Sequence, residues 1–183
     1  MCNALSWHVL YLYQVLHSGR ISILYGSEFL DDMDALENPQ KITGDQANSA
    51  FGYSLANGGD MNDDGFIDVF VGAPYYDDGE GAVFLYLGSA DGLQSQYSQI
   101  IKPSTLNVLD DVRTFGWSLS PGRDMDGNGY PDIAIGAYQS GHVAFIRSKS
   151  IIDVVPSLIF KSTTFNDTLK VTSLQVSHLD AVQ

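Results

Sequence analysis

The chain has 183 residues, 44% hydrophobic and 17% charged, which is the make-up of a globular domain of ordinary size and not of a disordered segment. Its 22 acids outweigh 9 bases, for a formal net charge of −13. That excludes a nucleic-acid binder, which needs Lys and Arg to neutralise phosphates, and a protein drawn to anionic lipid, and it suits a protein that collects cations.

The first stretch, "MCNALSWHVLYLYQVLHSG", is apolar from Ala4 to Leu16. It lacks a basic start, and His8 and Gln14 interrupt it, so it makes a poor signal peptide. Residues 1–18 read instead as an undecided strand or helix piece. The single cysteine, Cys2, permits no internal disulfide and says nothing about redox compartment. No apolar run reaches the ~18 residues of a membrane helix.

Next comes "GRISILYGS" (19–27), then "FGYSLAN" (51–57), an acidic loop "DMNDDGFID" (60–68), "DVFVGAP" (68–74) and "GAVFLYLGS" (81–89). The same series returns as "FGWSLS" (115–120), "DMDGNGYPD" (124–132), "DIAIGAY" (132–138) and "GHVAFIRS" (141–148). The Phe-Gly pair and the start of the acidic loop both recur at an offset of 64 residues (51 to 115, 60 to 124). A fixed period of this size marks a repeat architecture, here the tail of one repeat followed by two more. The apolar runs are short, rich in β-favouring residues and punctuated by Gly, Asp, Asn and Pro, so each repeat is a set of three or four strands. "AVFLYL" and "VAFI" are apolar on both faces, which predicts strands buried on both sides. The glycines of "VGAP" and "IGAY" predict a strand that passes close to a neighbouring backbone. Phe51, Phe115 and Trp117 are expected in the packing between sheets.

The acidic loops carry the chemistry. Hard cations such as Ca²⁺ take six to eight oxygens, and a short loop supplies them when alternate side chains turn inward. In the first loop these are Asp60, Asn62, Asp64 and Asp68, with the Phe66 carbonyl at position seven; in the second they are Asp124, Asp126, Asn128 and Asp132, with the Tyr130 carbonyl. Gly65 and Gly129, at position six, allow the sharp turn, and Asp63 is expected to face solvent. An EF-hand would need Glu at position twelve and flanking helices, but that position is Val71 or Ile135, in predicted strands. The closing acid sits at position nine, so these are shorter loops between two strands. Turn chemistry alone favours Asp, Asn and Gly in hairpins, yet it does not demand acids at positions one and nine. Mg²⁺ prefers to keep its waters, and zinc would want a Cys/His cluster that the chain lacks. Two structural Ca²⁺ sites are expected, each raising thermal stability.

Residues 149–183 contain no glycine and no acidic cluster, and Val, Ile, Thr and Ser alternate through them. They read as the opening of another β-domain beyond a boundary near Ser150, with closing residues also compatible with disorder. Asn166-Asp167-Thr168 is a glycosylation sequon, meaningful only in a secreted chain. No G-x-S-x-G or H-E-x-x-H occurs, and the four histidines are scattered, so nothing points to an enzyme.

"FGYSLANGGDMNDDGFIDVFVGAP" resembles the FG-GAP repeat, with its Phe-Gly opening, acidic loop and Gly-Ala-Pro close; "FGWSLSPGRDMDGNGYPDIAIGAY" resembles a second, with Tyr138 in place of the proline. Such repeats form the seven-bladed propeller at the head of integrin alpha subunits. "HVAFIRSKSIIDVVPSLIF", with Arg147-Ser148 and Ile151-Ile152, is similar to the junction of the last integrin blade with the thigh domain. The resemblance implies an all-β fold, a partial seven-bladed β-propeller followed by the start of a β-sandwich. Its spans would be an uncertain segment (1–18), the end of a preceding repeat (19–50), two FG-GAP repeats (51–114 and 115–150) and a truncated thigh-like β-domain (151–183). It further implies cell-surface exposure, an integrin beta subunit as partner and an extracellular protein ligand, both contacting mostly residues outside this chain. Two alternatives stand beside it: an accessory propeller of a secreted, phospholipase-like hydrolase, and a carbohydrate-binding propeller using Tyr75, Tyr76 and Tyr97. Two blades also leave open edges, which predicts poor stability alone and a tendency to associate.

Overall fold

The computed structural model describes residues 7–10, 18–25, 39–106 and 111–149. The chain divides into two units, Met1–Ile151 and Ile152–Gln183. The expected thigh-like domain and the sequon lie outside the described residues.

The fold is all-β and antiparallel, in three sheets. The first holds β1 (Trp7–Leu10), β2 (Arg20–Tyr25) and β3 (Gln40–Thr43) in that order. The second is a four-stranded meander of β4 (Ser54–Gly59), β5 (Asp68–Ala73), β6 (Ala82–Tyr86) and β7 (Gln99–Ile101). The third holds β8 (Phe115–Leu119), β9 (Ile133–Ala137) and β10 (His142–Ile146). The first sheet therefore draws in residues from the 1–18 segment that the sequence left undecided, because Trp7 pairs with Tyr25 and Leu10 with Ser22.

The sheets stack through two cores. Ile21, Ile23, Ile42 and Phe51 meet Val71, Ala73, Ala82, Phe84 and Tyr86 between the first and second sheets. Phe70, Val83, Leu85 and Ile101 meet Phe115, Ile133, Ile135 and Ala137 between the second and third. Successive residues of β5 and β6 thus point into opposite cores, and all five residues of β6 are buried. Each large side chain so buried contributes roughly 1.5–3 kcal/mol.

The sheets are keyed by a contact that repeats. Gly19 bridges Phe51, and Gly81 bridges Phe115, both in parallel register. A Cβ on Gly81 would lie 2.2 Å from the Phe115 carbonyl oxygen, and φ there is +91°. A Cβ on Gly72, of "VGAP", would lie 2.2 Å from the Gly116 carbonyl oxygen. At Gly72 the Ser54 hydroxyl is nearer still, at 2.1 Å; at Gly136, of "IGAY", the matching Ser118 hydroxyl lies at 2.3 Å with no backbone atom that close beside it.

One expectation fails on the third sheet, and another holds only outside the buried core. Strand β10 is not buried on both faces: Val143 is 72% and Phe145 48% exposed, where their counterparts Val83 and Leu85 are 0% and 6%. No further sheet covers that face among the described residues, and nothing among them comes within 4 Å of a Cβ on Gly141, the counterpart of Gly81. Trp117 is only half-buried. It does not enter the intersheet core but joins Tyr53 (ring centroids 4.5 Å), Tyr75 (6.4 Å) and Tyr138 (5.1 Å) in an aromatic cluster. That cluster lies at the end of the hairpins opposite the acidic loops, because Tyr53 precedes β4 and Tyr75 and Tyr138 follow β5 and β9.

Candidate metal centre

Both acidic loops join the first strand of a repeat to the second: residues 60–68 link β4 to β5, and 124–132 link β8 to β9. Their backbones turn alike. Position four has positive φ in both, +58° at Asp63 and +76° at Gly127, and position six has +89° at Gly65 and +90° at Gly129. Asp63 is exposed, as expected.

The position-one carboxylate organises each turn. Asp60 accepts from the Asp64 and Gly65 N–H groups at 3.0 and 2.7 Å. Asp124 accepts from Gly127, Asn128 and Gly129 at 2.7, 3.1 and 2.9 Å. The hydrogen bond from the Gly129 N–H, with those from Gly127 and Asn128, holds the Asp124 carboxyl below the usual carboxylate range. Position five then accepts from the N–H of position seven: Phe66 to Asp64 Oδ1 at 2.9 Å, Tyr130 to Asn128 Oδ1 at 2.8 Å.

Position nine does something the sequence did not disclose. Asp68 and Asp132 are fully buried at 0% exposure. One oxygen of each accepts from position two, Met61 at 2.7 Å and Met125 at 2.9 Å. The other accepts from the backbone just past the third strand, Gly88 at 2.8 Å and Ser148 at 3.0 Å. The closing aspartate is therefore a clamp between loop and sheet as well as a candidate ligand. Its signal was faint in the sequence: Gly88 and Ser148 each follow the glycine that opens the third strand, Gly81 or Gly141, by seven residues. Burial pushes the Asp68 carboxyl above its ordinary value, against the pull of its two N–H partners, and the nearby Asp64 and Asp60 charges push the same way.

The loops differ in how far their carboxylates converge. Asp124, Asp126 and Asp132 bring one oxygen each within 4.8 Å of one another, and no other trio of His, Cys, Asp or Glu does so among the described residues. In the first loop Asn62 Nδ2 donates to Asp64 Oδ2 at 2.8 Å, which occupies that carboxylate. Asn62 Oδ1 is left buried with no hydrogen-bond partner. A buried orphan acceptor, among acids at positions one, five and nine, is a donor set for a hard cation. The residues present fit Ca²⁺ in both loops: oxygen donors only, at alternate positions, with no soft ligand.

Elsewhere the candidates dissolve. Tyr76 and Tyr97 both pack edge-on against Phe84, at 5.4 and 5.1 Å, apart from Tyr75. The three tyrosines therefore do not form one sugar platform. His142, in β10, has a buried Nδ1 without a hydrogen-bond partner.

The family model that matches is the FG-GAP repeat, at residues 51–86 and 115–147. The chain is 40% identical over 126 residues to integrin alpha pat-2 of Caenorhabditis briggsae, covering 68% of this chain and 10% of that protein. It is 44% identical over 116 residues to integrin alpha-PS2 of Drosophila melanogaster, covering 62% and 8%. Against human integrin alpha-7 it is 42% identical over 117 residues, covering 64% and 9%. The chain thus spans about a tenth of the length of the relatives it matches.

Proposed function

We propose that the two acidic loops of this chain, which carries FG-GAP repeats and is similar to integrin alpha subunits, are structural Ca²⁺ sites in the propeller of a cell-surface adhesion receptor. The ligands are Asp60, Asn62, Asp64, Asp68 and the Phe66 carbonyl in one loop, and Asp124, Asp126, Asn128, Asp132 and the Tyr130 carbonyl in the other. The observation that carries the reading is the same turn built twice, with a buried position-nine carboxylate in each. When bound, the cation supplies the positive charge that offsets three crowded carboxylates per loop. The chain's own part is to hold those oxygens in place through backbone N–H groups and to pin each β-hairpin to its sheet.

The assignment is non-enzymatic. The receptor would act as a heterodimer with an integrin beta subunit and meet an extracellular protein ligand, with most of those contacts outside this chain. Among the described residues no helix is long and apolar enough to cross a membrane. The repeats would run 51–114 and 115–150, ahead of a thigh-like domain. Calorimetric titration with CaCl₂ tests the metal assignment: two ions bound and a melting temperature that falls in EDTA are expected. No heat and an unchanged melting temperature would overturn it.

A further inference from the structure

The second loop is wired to the chain where it leaves β10, and the first loop is not wired that way. Three hydrogen bonds and an ion pair converge on residues 147–148. The Ser148 N–H donates to Asp132 Oδ1 at 3.0 Å. Asn128 Nδ2 donates to the Ser148 carbonyl at 2.8 Å. The Ser148 hydroxyl donates to the Pro131 carbonyl. The Arg147 guanidinium stands 3.9 Å from Asp126. Three of the four loop groups involved, on Asp126, Asn128 and Asp132, belong to proposed ligands.

The first loop offers a comparison inside the same molecule. Its position-five residue is Asp64, a carboxylate that has no hydrogen to donate, and its Oδ2 takes a bond from Asn62 within the loop. The residues matching Arg147 and Ser148 are Leu87 and Gly88, which have neither a charge nor a hydroxyl. Only the Gly88 N–H bond to Asp68 is shared. The exchange of Asn and Asp between positions three and five is therefore meaningful. Asn128 has an oxygen for the loop, used by the Tyr130 N–H, and an amide nitrogen for the exit strand.

We propose that the second loop is an ion-dependent clamp on the exit from β10, in which cation loading and the ordering of residues 147–149 are a single linked equilibrium with Asn128 as the coupling residue. Linkage makes the effect reciprocal: whatever orders Ser148 tightens cation binding, and the cation orders Ser148. The inference rests on the metal reading above and assigns that site a second task, fixing how the chain departs from the propeller. In the first loop the same cation would pin only its own hairpin.

Trypsin reads the clamp directly, because Arg147 and Lys149 flank Ser148. The full 183-residue chain is digested in Ca²⁺ and in EDTA, and cleavage after Arg147 and Lys149 is compared with cleavage after Lys41 and Arg113. Ca²⁺ should protect the two exit sites more than the two reference sites. In Asn128→Asp, which keeps oxygens at position five as Asp64 does but loses the amide donor, exit protection is compared with the parent at equal occupancy of the sites, set from each chain's own Ca²⁺ isotherm. The added protection at the exit should fall roughly 2- to 10-fold, the worth of one hydrogen bond. Ser148→Ala, a milder change, should lower exit protection with two ions still bound. Equal protection of all four sites by Ca²⁺, or full exit protection in both variants, would overturn the clamp and leave the metal reading standing. A chain that binds no Ca²⁺ in the titration would overturn the metal reading itself, and the clamp with it.

Discussion

Replacing Asp68 by Asn keeps the shape of a fully buried side chain and removes one of its two acceptors. Asp68 takes the Met61 N–H on Oδ2 at 2.7 Å and the Gly88 N–H on Oδ1 at 2.8 Å. An amide has one oxygen, so one backbone N–H must face an NH₂ group and go unpaired. A lost hydrogen bond to a charged group, with a buried donor left over, costs about 2–3 kcal/mol. Burial already disfavours the Asp68 charge, so its removal returns part of that, and the net loss without calcium is about 2 kcal/mol. In Ca²⁺ at a hundredfold over Kd, an occupied site adds about 2.7 kcal/mol to the parent chain. Asn supplies one neutral oxygen and forfeits most of that, so the gap should widen to about 4–5 kcal/mol. Urea denaturation followed by circular dichroism, in EDTA and in Ca²⁺, measures both gaps. The clamp reasoning fails if the EDTA gap is near zero, and the ligand reasoning fails if the two gaps are equal.

Asp63→Gly should leave both the calcium isotherm and the stability within about 0.5 kcal/mol of the parent, since Asp63 is exposed and its twin is already Gly127; lost binding in calorimetry would make Asp63 a ligand after all. Gly81→Ala places a Cβ 2.2 Å from the Phe115 carbonyl oxygen and should cost about 3 kcal/mol or more, whereas Gly141→Ala, with open space around it, should cost roughly 1 kcal/mol from its backbone angle alone. Thermal melts of the pair decide that contrast. Val143→Thr with Phe145→Ser should shift gel filtration towards a monomer with little change in melting temperature, because both side chains are exposed on an uncovered sheet face; an unchanged elution profile would clear that face of any part in association. Burial pushes the Tyr86 hydroxyl up to about 12, helped by Asp45 and Tyr97. The folded state therefore keeps a proton that the unfolded chain releases from about pH 10. Stability should be intact below pH 10 and should fall by up to about 2–3 kcal/mol as pH rises to 12, and Tyr86→Phe should flatten that fall in urea midpoints taken across the range.

The loops were legible because their information is local. Alternating oxygens, a glycine at position six and an acid at position nine are a pattern of one chain segment, and its return after 64 residues makes chance a poor account. The sheets were legible for a related reason: strands such as "AVFLYL", apolar on both faces, announce burial on both sides. The identical reading of "VAFI" went wrong because burial belongs to the neighbour. Val143 has the same character as Val83, and only Val83 has a Phe115 laid over its sheet. Trp117 does pack between sheets, but at their rim beside Tyr53, Tyr75 and Tyr138 and not in the core that holds Phe115.

By itself the sequence determined the period, the strand character and the chemistry of each acidic loop, because all three are set by residues within a few positions of one another. Only the tertiary structure decided what the position-nine aspartates hold and what the second loop grips. Gly88 stands 20 residues from Asp68, and Ser148 stands 20 from Asn128. Sheet pairing closes those distances, and nothing in the spacing of either partner states that it will.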